Sequence, residues 1–197
     1  MVENEKEAYF MSNIHSSSKV GFGRRLAFKF AQSKLLGKLV EKYPQLIDRI
    51  SKKSMNLGRE RNGDVPWTPL KRPIEESRVA LITTGGIILK SQPPFDLNDS
   101  KGDCSYRVIP SDTPPSETVI SHLFYDHSDV KVDLEIMFPL ATLHRLQQEG
   151  KVGSIAPRHF SFQGGIHDPS PLVEKTAPEV ARSLVEDNVD LAILTPA

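Results

Sequence analysis

The sequence contains a single cysteine, Cys104, among its 197 residues. One cysteine excludes an intramolecular disulfide and any zinc site built from several cysteines. Cys104 lies between Asp103 and Ser105 in a polar stretch, where neighbouring negative charge raises the pKa of a thiol. We therefore expect an incidental exposed thiol here, and not a nucleophile.

Long hydrophobic runs are also missing. No apolar run approaches the roughly 20 residues that a membrane-spanning helix needs. The first residues include Glu3, Glu5 and Glu7, and they lack the apolar core of a secretory signal peptide. The pattern therefore predicts a cytoplasmic protein.

The chain has no formal net charge, which argues against nucleic acid as a partner. That balance hides an asymmetry, because residues 19–61 contain twelve Lys and Arg but only three acidic residues. Basic residues between apolar ones allow peripheral contact with an anionic membrane surface. Docking on a partner protein, or on the chain's own domain, is the alternative.

Changes in composition, and the positions of Gly and Pro, divide the chain into three parts. Residues 1–18 are polar and acidic and are predicted to be disordered. Residues 19–65 are predicted to form a basic helical extension, with helices over 22–57, and a linker rich in Gly and Pro. Residues 66–197 are predicted to form an α/β domain.

Apparent strands and helices alternate in the third part, which predicts an α/β fold with a mostly parallel sheet and flanking helices. The expected strands are Val79–Thr84, Tyr106–Ile109, Val132–Phe138 and Val189–Ala197. The expected helices are a short one from Ser116, one from Pro139 to Glu149, and one from Pro178 to near Asn188. A long polar loop is expected from Lys90 to Ser105.

The last strand, Val189–Ala197, has the apolar composition of a buried inner strand of a parallel sheet. Ligands of open α/β sheets bind beyond the carboxyl ends of the strands. No helix follows to cover this strand. We therefore expect the domain to be truncated on its C-terminal side.

The run Thr83-Thr84-Gly85-Gly86 follows the first strand of the domain. Glycines after a strand let backbone amides approach a phosphate group, which would suggest nucleotide binding. The established dinucleotide and P-loop fingerprints are absent. A tight turn that requires positive φ is the favoured interpretation.

Five histidines fall in the α/β domain, but no pair has the spacing of a metal site. They are His122, His127, His144, His159 and His167. His144 is predicted to be a solvated helix residue. His122 and His159 are the better candidates for acid–base catalysis or substrate orientation, although a hydrogen-bonded structural role is the favoured interpretation for each.

The order of several segments resembles the selenoprotein B family of glycine, betaine, sarcosine and D-proline reductases. The resemblance covers about residues 66–197, and the segments that carry it are Arg78–Gly86, Tyr106–Pro114, Phe138–Leu140, Gly153–Ile155, His159–Gly164 and Leu191–Pro196. The resemblance implies an oxidoreductase that reductively cleaves a C–N bond of a small amine or amino acid. It also implies a companion subunit with a carbonyl cofactor of the pyruvoyl type, and a thiol reductant.

In this family the last strand leads into a selenocysteine or cysteine, then two further residues, and then a cysteine. Ala197 occupies the position before that residue. Selenocysteine is encoded by UGA, a codon that otherwise means stop. The resemblance therefore implies that a selenocysteine follows Ala197 and that the 197-residue form is inactive alone.

The resemblance and the strand pattern together select five residues to line the crevice beside the expected selenocysteine. His122 and His159 are the expected catalytic residues, and Gly85, Gly86 and Asp112 are expected to bind substrate. No metal site is expected. A non-catalytic binding or scaffold protein, docking through its basic helices, is the alternative function.

Overall fold

The structure is a computed structural model that describes residues 68–122, 125 and 127–196. The predicted disordered segment 1–18 and the basic extension 19–65 lie outside the described residues. The boundary between the extension and the domain therefore stays a prediction.

The described residues form seven strands, three α-helices and several single turns. The strands are β1 (Arg78–Thr83), β2 (Ile87–Leu89), β3 (Tyr106–Pro110), β4 (Thr118–Ile120), β5 (Ser154–Ile155), β6 (Arg158–Phe162) and β7 (Leu191–Thr195). The helices are α1 (Ser128–Val132), α2 (Leu140–Gln148) and α3 (Ala177–Glu186). Turns of 3₁₀-helix lie at Ile74–Glu76, Pro115–Glu117 and Leu134–Ile136, and one π-helical turn lies at Leu172–Thr176. None of these helices is long and apolar enough to cross a membrane.

Two predicted helices are confirmed close to their expected ends. Helix α2 begins directly after Pro139 and is followed by Gly150 with φ of 69°. Helix α3 has Pro178 in its first turn, and Asn188 follows it with φ of 54°. Proline at a helix start and a left-handed residue after its end are local signals, so the sequence alone located both helices.

Strand β1 is the centre of a mixed five-stranded sheet. β7 pairs with one edge of β1 in parallel, while β5 and then β6 pair in parallel with the other edge. β3 pairs with β6 in the antiparallel direction, and β2 and β4 form a separate antiparallel pair. The α/β class is confirmed, but the parallel arrangement holds only around β1.

Helices and short elements cover the two faces of the sheet. On one face, Val79 and Leu81 of β1 belong to a buried cluster with Phe138 and with Leu143 of α2. On the other face, the cluster consists of Phe160, Phe162 and Val180, with several partly buried residues around it. Successive residues of a strand point to opposite faces, so alternation along β1 and β6 supplies both clusters.

The last strand was predicted to be a buried inner strand, and the structure shows a strand that is partly buried to exposed. β7 is parallel to β1, as expected. Among the described strands, however, β1 is its only neighbour. The side chain of Leu194 is 69% exposed. An apolar run predicts a strand, but it does not distinguish a central strand from one at the edge of a sheet.

The strand predicted at Val132–Phe138 is absent from the structure. Val132 ends helix α1, and a 3₁₀ turn follows at Leu134–Ile136. Asp133 caps this turn, because its side chain accepts a hydrogen bond from the amide of Glu135 at 3.0 Å. Local side chain–backbone bonds of this type compete with strand formation, and they favour the turn here.

Arg158 joins the start of β6 to the end of α3. Its Nε and Nη2 atoms donate to the two carboxylate oxygens of Asp187, each at 2.8 Å, and Nη2 also donates to the carbonyl of Ser183 at 3.2 Å. The pKa of Arg158 is raised, chiefly by the hydrogen bonds to Asp187. This bidentate pair fixes α3 along the sheet.

We expect the substitution R158K to lower the free energy of unfolding by about 1 kcal/mol, because lysine cannot form the bidentate pair. Urea denaturation at low salt measures the change. R145K is the matched control, since Arg145 pairs with Glu149 on an exposed helix surface. Equal effects of the two substitutions would contradict the role assigned to Arg158.

Candidate functional site

The carboxyl ends of β1, β6 and β7 meet at one edge of the sheet. The amide of Thr84 donates to the carbonyl of Thr195 at 3.1 Å, which ties the ends of β1 and β7 together. The amide of Gly86 donates to the carbonyl of Phe162, and that of Gly164 donates to the carbonyl of Thr84, both at 2.9 Å. The three strand ends therefore form one hydrogen-bonded platform.

The turn after β1 does not offer its amides to a phosphate group. The amide of Gly85 donates to Oγ1 of Thr83 at 3.0 Å, and the amides of Thr84 and Gly86 are bonded to neighbouring strand ends. Gly86 has φ of 67°. These observations support the tight turn over the nucleotide-binding interpretation.

His122 lies against this turn and is buried. A Cβ atom at Gly164 would lie 2.7 Å from its Nε2 atom, and one at Gly86 would lie 2.9 Å from its Cβ atom. The two glycines therefore leave the space that the imidazole occupies. Burial, and next the proximity of His127, lower the pKa of His122 to about 4. The ring is neutral at pH 7, which suits it to orient a neighbouring group by hydrogen bonding.

Tyr125 lies between two histidine rings. Its ring centroid is 4.8 Å from that of His122 and 4.4 Å from that of His127. Its hydroxyl donates to the carbonyl of Gly85 at 2.9 Å, and burial raises the pKa of Tyr125 to about 12. Sequence reasoning did not select Tyr125. In the described part of the chain, no group of three or more His, Cys, Asp or Glu is placed to hold a metal ion.

The polar loop predicted from Lys90 to Ser105 contains no helix or strand, as expected. It contributes a fully buried aromatic side chain, Phe95. The amide of Phe95 donates to Oγ of Ser121 at 3.0 Å, and the guanidinium of Arg107 lies 4.3 Å from the Phe95 ring centroid. The loop therefore fixes the backbone directly before His122.

Two buried polar residues near the end of β6 were not predicted to belong to the site. They are Ser161 in the strand and Gln163 directly after it. Ser161 lies beside Thr83 in the parallel register, and alternation places Gln163 on the same face. Both residues are buried, and neither Oγ of Ser161 nor Oε1 of Gln163 has a hydrogen-bond partner. The alternation of polar and aromatic residues from Phe160 to Gln163 was the signal that could have identified them.

His159 does not lie at the strand ends. It is fully buried within β6, and its Nδ1 atom accepts a hydrogen bond from the amide of Leu81 at 2.9 Å. This bond fills the gap between the pairings of β1 with β5 and with β6. Burial first, and then His144, lower the pKa of His159 to about 4. The geometry favours the structural alternative for this histidine.

Asp112 lies at the opposite end of the sheet from Gly85 and Gly86. It follows β3, whose last residue Pro110 pairs with Arg158 at the start of β6. Because β3 runs antiparallel to β6, the end of β3 lies beside the start of β6. Asp112 is therefore separated from the strand-end platform by the length of β6. Of the five selected residues, the structure therefore brings together Gly85, Gly86 and His122.

A comparison with known proteins identifies the family. The family model for glycine/sarcosine/betaine reductase selenoprotein B matches residues 50–197. The chain belongs to this selenoprotein B family. The family resemblance predicted from the sequence segments is therefore confirmed.

Similar proteins in the selenoprotein B family carry names of reductase subunits. The chain is 39% identical to D-proline reductase subunit gamma of Acetoanaerobium sticklandii, over 66% of this chain and 52% of that protein. It is 26% identical to sarcosine reductase complex component B subunit beta of Peptoclostridium acidaminophilum and to glycine reductase complex component B subunit gamma of Symbiobacterium thermophilum. Those matches cover 66% of this chain and 30% and 31% of the relatives.

The chain thus matches about half the length of the first relative and about a third of the other two. No solved structure matches the chain.

Two smaller predictions for this selenoprotein B family member need correction. The pKa of the Cys104 thiol is raised, as predicted, but burial is the main cause and the neighbouring carboxylates come after it. The residue is partly buried and not simply exposed. His144, expected to be solvated, is also partly buried, and its Nε2 atom lies 2.8 Å from the carbonyl of Ser111.

Proposed function

We propose that this chain is a subunit of a selenol- or thiol-dependent reductase that cleaves a C–N bond of a small amine or amino acid. The observation that carries the proposal is the family match over residues 50–197. The names of its relatives specify D-proline, sarcosine or glycine reductases. A companion subunit with a carbonyl cofactor and a thiol reductant complete the proposed enzyme.

The proposed redox residue is a selenocysteine after Ala197, at the carboxyl end of β7. The carbonyl of Thr195 accepts a hydrogen bond from the amide of Thr84, so a residue that follows β7 starts close to the turn at Gly85. A selenol is ionised at neutral pH, where most thiols are protonated, and it would supply the nucleophile. The turn itself is closely packed, because Met137 and His122 fill the space that side chains at Gly85 and Gly86 would take.

The residues of this chain position that site. Oγ1 of Thr195 donates to the carbonyl of Met137 at 2.8 Å, and Oγ1 of Thr83 donates to the carbonyl of Thr195 at 3.2 Å. These bonds hold the end of β7 in place. Neutral His122 would orient the substrate or a leaving group by hydrogen bonding, since a pKa of about 4 makes it a weak base at pH 7.

The codon that follows Ala197 in the gene tests the redox assignment. We expect UGA, followed by an open reading frame that encodes two further residues and then a cysteine. A longer recombinant form should then react with iodoacetamide at neutral pH and support dithiol-dependent substrate reduction once the companion subunit is added. The 197-residue form should do neither at this site.

The proposal also has clear contrary outcomes. A UAA or UAG codon after Ala197, or the absence of a downstream reading frame, would refute the selenocysteine. Dithiol-dependent reduction by the 197-residue form would show that the reactive group lies elsewhere. Cys104→Ser in the longer form is the control, because it removes the thiol of this chain without affecting the strand-end site.

A further inference from the structure

Strand β7 presents an open surface on one side of the sheet. Among the described strands it pairs with β1 alone, so the backbone groups along its other side have no described strand to pair with. Its side chains are also poorly covered, because Ile193 is 38% exposed and Leu194, on the opposite face, is 69% exposed. Native proteins usually cover or blunt such an unpaired strand edge. We therefore expect another element to cover β7.

Helix α1 and the 3₁₀ turn that follows it extend this surface. The segment lies beside the end of β7, because Oγ1 of Thr195 donates to the carbonyl of Met137 at 2.8 Å. Val132 and Ile136 of the segment are 90% and 57% exposed, and alternation puts Ile193 on the same side of the sheet as Thr195. The unpaired side of β7, together with Val132, Ile136 and Ile193, is called the β7 surface below.

The surroundings of the β7 surface carry an excess of negative charge. Residues 128–136 contain three acidic residues and one lysine. Residues 62–197 as a whole contain nineteen acidic and twelve basic residues, whereas residues 19–61 contain three acidic and twelve basic residues. Complementary charge favours the association of two surfaces and fixes their register. A basic segment with an apolar face therefore fits the β7 surface, and the chain itself contains such a segment.

The basic extension joins the domain close to the start of β7. The Nε atom of Arg72 lies 3.3 Å from Oδ1 of Asp190, which directly precedes β7. Ten residues, 58–67, separate the predicted helical segment from the first described residue. An extended linker of that length spans up to about 33 Å, whereas the five residues of β7 span about 17 Å. The segment before the linker can therefore reach the whole of β7.

We propose that residues 45–57 cover the β7 surface as an amphipathic helix. A helix of thirteen residues is about 20 Å long, which matches the length of β7. Leu46, Ile47 and Ile50 have the spacing of one helical face and would lie on the apolar side chains of the β7 surface.

The polar residues of the segment suit the same placement. The basic residues of residues 45–57 are Arg49, Lys52 and Lys53. They flank the apolar face and would lie near the carboxylates of residues 128–136. This docking within one chain does not depend on the reductase function proposed above.

A spin label on the extension of the 197-residue protein tests this docking. Ser51→Cys places the label beside the proposed helix face, and Cys104→Ser removes the native thiol. We expect the amide signals of Leu191–Thr195 to lose most of their intensity. The signals of β3 should keep most of theirs, because β3 lies three strand spacings from β7, about 14 Å away, and paramagnetic broadening falls steeply with distance.

Charge reversal in the extension provides a matched pair of variants. Lys52→Glu combined with Lys53→Glu should restore most of the lost β7 intensity, because the new carboxylates would face the acidic residues of the segment 128–136. Lys38→Glu combined with Lys42→Glu is the control, since it reverses the same number of charges outside residues 45–57 and should leave the broadening unchanged. All four positions lie outside the predicted α/β domain, so the fold of that domain should be intact, and thermal unfolding checks this.

Three results would overturn the proposal. The first is equal broadening of β7 and β3, or no broadening of β7. The second is an equal effect of the two double substitutions, which would show that only the overall charge of the extension matters. The third is broadening of β7 that arises between molecules, detected by mixing spin-labelled protein with isotope-labelled protein that carries no spin label. That result would identify a second copy of the chain as the occupant.

Discussion

Gly86→Ala is expected to lower the free energy of unfolding by roughly 3–4 kcal/mol. Gly86 has φ of 67°, and a side chain in the left-handed region costs about 1–2 kcal/mol. A Cβ atom there would also lie 2.5 Å from the carbonyl oxygen of Ser121. Relief of that overlap must move backbone, and overpacking of this kind costs about 1–3 kcal/mol. Urea denaturation followed by circular dichroism measures the sum.

Gly150→Ala separates the two contributions. Gly150 has φ of 69°, almost the same as Gly86, but a Cβ atom at Gly150 would meet nothing within 4 Å. We therefore expect this control to lose only about 1–2 kcal/mol, which is the conformational part. Equal losses for the two alanine variants would contradict the close approach of the Gly86 turn to Ser121.

His159→Leu is expected to lower the free energy of unfolding at pH 7.5 by about 2 kcal/mol, because the buried amide of Leu81 loses its hydrogen-bond acceptor. Leucine fills much of the same volume, so the lost hydrogen bond is the main change. Hydrogen exchange should show a loss of protection at the Leu81 amide. His159→Asn is the matched variant, because Oδ1 of asparagine takes the position of the histidine Nδ1 atom and should restore that protection.

The same substitution should change how stability depends on pH. The pKa of both His159 and His122 is lowered from 6.5 to about 4 in the folded chain. Between these values the unfolded chain binds protons that the folded chain does not, so stability decreases as the pH falls from 6.5 to 4. Each histidine accounts for up to roughly 3 kcal/mol of that decrease, because a tenfold change in proton affinity corresponds to about 1.4 kcal/mol.

Between pH 6.5 and 4, the two histidines together lower the free energy of unfolding. His159→Leu should therefore remove about half of that decrease and leave the half that belongs to His122. Chemical denaturation at intervals of half a pH unit measures this slope. A slope identical to that of the unmodified protein would mean that His159 titrates normally in the folded state. It would then refute the burial that is assigned to its ring.

The helices were predictable because their signals are local. Pro139 and Gly150 mark the ends of α2, and Pro178 and Asn188 mark those of α3, as the structure confirms. The prediction of a strand at 132–138 was wrong for a related reason. Its alternation suggested a strand, but the Asp133 side chain bonds to the backbone two residues later and stabilises a turn.

The candidate site was predictable in part. The glycine turn and His122 could be selected because a strand followed by Gly-Gly and a histidine within an apolar stretch are visible in the sequence. Their contact depends on Gly164, which lies more than 40 residues later in the chain. Asp112 was misplaced because the sequence does not reveal that β3 runs antiparallel to β6.

The sequence by itself determined the selenoprotein B family, the α/β class and the helix ends. These depend on short segments and their order, which local chemistry and family resemblance encode. Tertiary structure decided that β7 pairs with β1 alone among the described strands, that His159 replaces a missing strand partner, and that Asp112 borders a separate cavity. These features depend on which distant segments pair and in which direction. The residue pattern of a strand specifies which of its faces is buried, but it does not specify the neighbouring strand, so long-range packing sets the pairing.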